Sequence, residues 1–135
     1  MDDLPHLILW VALGSAAGGV ARFVVSGLVA RGIGETFPWG TMVVNVTGAF
    51  AIGFLSVAAQ RLSLFDRPEA WPLIVTGILG SYTTVSSFSL QTLALARDGE
   101  TLRAAANIVL TLGLCLAAVT AGVVLAPLIF SAVGS

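Results

Sequence analysis

The chain has 135 residues, of which 57% are hydrophobic and only 10% charged, with a mean hydropathy of +1.00 and a formal net charge of -1. A soluble domain carries about a quarter charged residues, so this composition is that of an integral membrane protein. Six arginines, no lysine and no basic cluster exclude a nucleic-acid footprint, and a single cysteine, Cys115, excludes both an internal disulfide framework and a cysteine-rich metal site.

Four apolar runs, at about 7–30, 39–59, 71–96 and 102–130, each approach or exceed the roughly 20 residues that cross a bilayer. The chain therefore reads as one all-α, four-helix transmembrane domain over 1–135. Asp2, Asp3 and Pro5 suit a helix start before the first run, and its acidic opening and length predict a retained span rather than a cleaved signal. Gly14 and Gly18 form a GxxxG spacing on a face kept small by Ser15, Ala16, Ala17 and Gly19, which predicts close helix packing. Arg22 lies about eight residues, roughly 12 Å by helical rise, inside that run. Two readings of it stand: a side chain that snorkels to the interface, or one that faces a polar vestibule.

A loop at 31–38 leads to the second span, where Thr41 and Asn45 share one face at i,i+4. A buried Asn must find partners for two donors and an acceptor, either on a neighbouring helix or along a wet track. Gly48 and Gly53 again predict close packing. The second loop, 60–70, holds Arg61, Asp66, Arg67 and Glu69 and reads as aqueous.

The third span departs from the usual membrane helix. From Gly77 to Gln91 it carries two glycines and six hydroxyls, Ser81, Thr83, Thr84, Ser86, Ser87 and Ser89, in its central part. Unpaired backbone groups in hydrocarbon cost several kcal/mol, so a break there survives only where protein packs on it or it lines a polar cavity. The stretch predicts a helix broken mid-membrane and a functional site at the break. Trp10, Trp39 and Trp71 fall near span ends, as an interfacial aromatic belt does. After the polar turn Arg97-Asp98-Gly99-Glu100, the fourth span places Asn107, Thr111 and Cys115 at i, i+4 and i+8, a thin polar stripe. Three helices thus carry one wet stripe each.

Loop arginines divide two (Arg61, Arg67) against three (Arg31, Arg97, Arg103) between the two sides. So slight a bias predicts insertion in both orientations, and two opposed copies can pair about a two-fold axis in the membrane plane. Eight helices would then let the polar stripes face each other.

Gly77-x-x-Gly80-Ser81-x-Thr83-Thr84-x-Ser86-Ser87-Phe88, with Gly19-x-x-Arg22 and Trp39-Gly40-Thr41-x-x-x-Asn45-x-x-Gly48 upstream, resembles the Fluc/CrcB fluoride channels over essentially the whole chain. The resemblance implies an antiparallel dual-topology homodimer in a bacterial inner (plasma) membrane, with two pores for passive fluoride efflux and hence fluoride resistance. It implies a central structural Na⁺ held by the backbone carbonyls of Gly80 and Thr83 from both subunits. Asn45 would offer its amide to the anion and Phe88 the positive edge of its ring. Thr41, Thr84, Ser87, Asn107, Thr111 and Cys115 would continue the polar track, and Arg22 would stand in the vestibule. Five positions depart from the family's usual pattern: Val85 replaces the first of two phenylalanines, Ser81 a second glycine and Gln91 a glutamate, while Asn107 and Cys115 stand where tyrosine and serine can occur.

Competing functions are distinguishable by residue type. A proton-coupled small multidrug exporter needs an intramembrane acid, and none of the four runs holds Asp or Glu away from its ends. A non-conducting or weakly conducting subunit of the channel family would use the same small faces and polar groups for packing alone. No nucleophile and base form a plausible pair, so an enzyme is not expected.

Overall fold

The structure, a computed structural model, describes residues 4–61 and 63–133. Every regular element among them is helical: α1 (Leu4–Ile33), α2 (Trp39–Ala58), a 3-10 turn (Ser63–Asp66), a π-helical segment π1 (Pro72–Leu79), a single turn α3 (Gly80–Tyr82), α4 (Val85–Arg97) and α5 (Thr101–Val133). Four stretches, Leu4–Ile33, Trp39–Ala58, Pro72–Arg97 and Thr101–Ala132, are long and apolar enough to cross a membrane. Asp2 and Asp3, expected at a helix start, lie outside the described residues.

Two of the helices, α1 and α5, outrun their apolar runs at both ends, because backbone hydrogen bonding continues past the point where side chains turn polar. Arg31, expected in the first loop, is instead the basic residue of the last turn of α1, where its charge complements the helix dipole. The helix stops at Gly34, whose φ of 96° and amide bond to the Ala30 carbonyl at 2.8 Å make a left-handed cap. Arg103, counted above as a loop residue, sits in the first turn of α5 with its Nε 3.6 Å from Glu100 Oε2.

The packing is that of a protein solvated by lipid. Large apolar side chains such as Ile8, Leu13, Phe23, Leu28, Leu102, Val109 and Leu116 are exposed, while the buried apolar positions among the described residues are Met42, Val44, Ala58, Ala70, Ala104 and Ala126. Helices approach through small residues, as they must where lipid leaves no hydrophobic gain in pairing. On one side α1 meets π1: a Cβ on Gly18 would strike the Ile78 carbonyl and the Ser81 hydroxyl, and that hydroxyl donates to the Ser15 carbonyl at 2.9 Å. On the other side α2 meets α5, where a Cβ on Gly53 would strike the Val119 carbonyl. The GxxxG face of α1 thus packs against the third span. In contrast, α4 has no buried residue and, among the described residues, rests on α5 and α2.

Candidate functional site

Two residues between α3 and α4 leave the helix. Thr83 takes φ -78° and ψ 156°, and Thr84 takes φ -152° and ψ 115°, both extended. A helix interruption strands backbone donors and acceptors, and the partners of both Thr84 groups can be traced. The Thr84 amide donates to Asn45 Oδ1 at 2.7 Å, and Asn45 Nδ2 donates to the Thr84 carbonyl at 2.9 Å. One side chain from α2 therefore satisfies both backbone groups of Thr84, which is 7% exposed. Thr84 in turn caps α4, its Oγ1 accepting from the Ser87 amide at 3.2 Å. With the Thr84 amide drawn onto Asn45, the Gly80 carbonyl loses its i+4 donor, and the Thr83 carbonyl is turned out of the α-helical direction.

Cavities lie on both sides of this segment. One, of about 460 Å³, is lined by Asn45, Gly80, Thr83, Val85, Phe88, Thr111 and Cys115 together with aliphatic neighbours. None of its lining side chains carries a formal charge. The second, of about 360 Å³, is lined by Arg22, Ser26, Thr41, Thr84, Ser86 and Ser87. A third, of about 490 Å³, shares Ser26, Thr41 and Ser87 with the second and extends it toward Gln91 and Glu35. Arg22 thus lines a cavity that also contains the positive amino-terminal end of α4, an arrangement that favours an anion. Gly48 allows the tight fit at the break, since a Cβ there would strike the Thr83 methyl.

The structure brings most of the expected site residues together, in two groups. Asn45, Val85, Phe88, Thr111, Cys115, Gly80 and Thr83 share the first cavity; Arg22, Thr41, Thr84 and Ser87 share the second. Asn107 lines neither. It is 1% exposed, donates through Nδ2 to Thr92 Oγ1 at 2.8 Å and accepts from Thr111 Oγ1 at 3.3 Å. Thr92 and Ser26 were not singled out from the sequence. Thr92 follows Phe88 at i+4 and Ser26 follows Arg22 at i+4, and that spacing is the signal that could have found them.

The family described as CrcB-like protein, Camphor Resistance (CrcB), matches residues 9–123. The chain belongs to the CrcB-like family. A relative from Rhodopseudomonas palustris (strain BisB18), named Fluoride-specific ion channel FluC 2, is 60% identical over 123 residues, covering 90% of this chain and 94% of that one. A relative of the same name from Bradyrhizobium diazoefficiens is 57% identical, with 88% of each chain covered. A third, Fluoride-specific ion channel FluC from Opitutus terrae, is 53% identical over 86% of this chain and 89% of that one. Membership in the CrcB-like family and the four apolar helices make this a multi-pass membrane protein.

Proposed function

We propose that the chain is a subunit of a fluoride-selective channel that carries the anion passively out of a bacterial cell and so confers fluoride resistance. Hydrogen fluoride crosses lipid as a neutral molecule and ionises inside, where the anion is trapped. With the interior negative, the membrane potential drives one charge outward by about 2.3 kcal/mol per 100 mV. The names of the relatives support this reading, and so does the chemistry of the two cavities.

The observation that carries it is the Asn45 amide fixed against the Thr84 peptide between them. One proton of Nδ2 is held by the Thr84 carbonyl; the other has no partner among the described residues and lies on a side chain lining the first cavity. With the Cys115 thiol and the Phe88 ring edge, it makes a track of neutral, weakly positive groups. Such groups bind an anion loosely enough for it to leave, which a lysine would not. We place the Thr83–Thr84 interruption at mid-membrane, with Arg22 drawing anions into the vestibule.

A structural Na⁺ at the Gly80 and Thr83 carbonyls fits the residues present. The Gly80 oxygen has lost its helical donor, oxygen ligands suit a hard cation, and the described residues hold no cluster of three His, Cys, Asp or Glu that would compete. One chain supplies only two such carbonyls, fewer than a hard cation takes, which favours a second copy completing the shell. The antiparallel homodimer in the inner membrane, with two pores, would do this and would cover the exposed α4. Val85, 76% exposed at the first cavity, favours a second reading, a weakly conducting family subunit that lacks one of two aromatic edges.

Purified chain in liposomes should release loaded fluoride faster than empty vesicles, and equal release rejects the channel. A carboxyl-terminal tag should be found on both membrane faces; detection on one face alone rejects dual insertion.

A further inference from the structure

Asn107 was expected to touch the anion, yet it is buried and bonded away from both cavities. Its hydrogen bonds form a directed chain. Thr92 Oγ1 donates its only proton to the Phe88 carbonyl at 2.7 Å, so towards Asn107 it can only accept. That fixes the orientation of the Asn107 amide: Nδ2 faces Thr92 at 2.8 Å and Oδ1 faces the Thr111 hydroxyl at 3.3 Å. The donors run in one sense, from Thr111 on α5 through Asn107 and Thr92 to the backbone of Phe88 on α4. Both ends of the chain, Thr111 and Phe88, line the first cavity, and its two middle members do not.

We propose that Thr92 and Asn107 are a positioning pair that holds the Phe88 turn of α4 against Thr111 of α5, fixing the ring edge relative to the opposite wall of the anion path. The need for it follows from the fold. No residue of α4 is buried, and among the described residues the hydrogen bonds that tie its amino-terminal end to another helix run through Thr84 to Asn45. One tether leaves a helix free to swing; a second, one turn past Phe88, stops it. The pair also holds the Thr111 proton on Asn107, so Thr111 donates to an anion only by releasing that bond. This inference rests on the channel reading for its consequence in transport, but not for the tether itself.

The test labels position 88 of the full chain with 4-fluorophenylalanine and reads the ring fluorine by NMR in lipid nanodiscs, beside fluoride efflux from liposomes. The parent chain should give one ring resonance. Thr92→Val, which keeps the shape and removes the hydroxyl, should split or broaden it and slow efflux about tenfold, whereas Thr92→Ser should restore the single line. Should Thr92→Val not accumulate as folded protein, Asn107→Leu removes the donor of the same interhelical bond with the same side-chain branching and is expected to broaden the line likewise. An unchanged, single ring resonance in Thr92→Val or Asn107→Leu overturns the proposal. Absence of efflux from the parent chain, with the ring resonance still responding, removes the channel reading and leaves the tether standing.

Discussion

Asn45 offers the sharpest test, because two substitutions separate its two duties. Asn45→Leu keeps most of the volume but orphans both the amide and the carbonyl of Thr84, now held at 2.7 and 2.9 Å. Each buried polar group left unpaired costs about 1–3 kcal/mol, so the loss is about 2–6 kcal/mol. That is a large share of a total stability of about 5–15 kcal/mol. Asn45→Asp retains an acceptor for the Thr84 amide and loses only the donor to its carbonyl, so its stability cost is about half as large. Its effect on transport is the greater one. A carboxylate about 4 Å from a passing anion opposes it by about 4 kcal/mol at an effective dielectric near 20. At about 1.4 kcal/mol per decade, that lowers occupancy about a thousandfold. Unfolding in detergent by circular dichroism measures the first quantity, and a fluoride electrode on proteoliposomes the second. A Leu variant as stable as the parent, or an Asp variant that passes fluoride at the parent rate, would refute the reasoning.

Three further outcomes are expected. Gly18→Ala drives a methyl into the Ile78 carbonyl, which is backbone and cannot rotate away; the variant should lose about 1–3 kcal/mol, read as a lower melting temperature in detergent. Val85→Phe adds a second ring edge at an exposed position, so folding should be unaffected while fluoride efflux rises; equal efflux means the Phe88 ring suffices. A small thiol-directed reagent should slow efflux in the parent chain, because Cys115 lines the first cavity, and should leave Cys115→Ser unaffected.

Much of this arrangement was legible in the residues. Hydrophobic run length locates the spans, and the hydroxyl-rich stretch after Gly77 draws attention to the segment where Thr83 and Thr84 leave the helix. Of the alternatives for Asn45, bonding to a neighbouring segment or serving a wet track, the structure shows the first, to the Thr84 peptide, and leaves the second amide proton on a side chain that lines the first cavity. The α5 stripe was harder. At 3.6 residues per turn, each step of four advances about 40° around the axis, so Asn107 and Cys115 differ by about 80°. That drift turns Asn107 toward Thr92 and Cys115 toward the cavity, with Thr111 between them touching both. A repeat of four reads as one face on paper and is two faces in space. Nothing in periodicity marks π1, because a wider turn depends on which carbonyl each amide selects and not on side-chain spacing.

Extended backbone sends successive side chains to opposite sides, and at the interruption this has a spatial result. Thr84 lines the cavity that holds Arg22 and Thr83 the one that holds Phe88, so between α3 and α4 a single strand of polypeptide separates the two chambers. Neighbouring codons therefore control different rooms. Selection can retune the hydration of one chamber while leaving the other as it was, provided the asparagine that pins the strand stays in place.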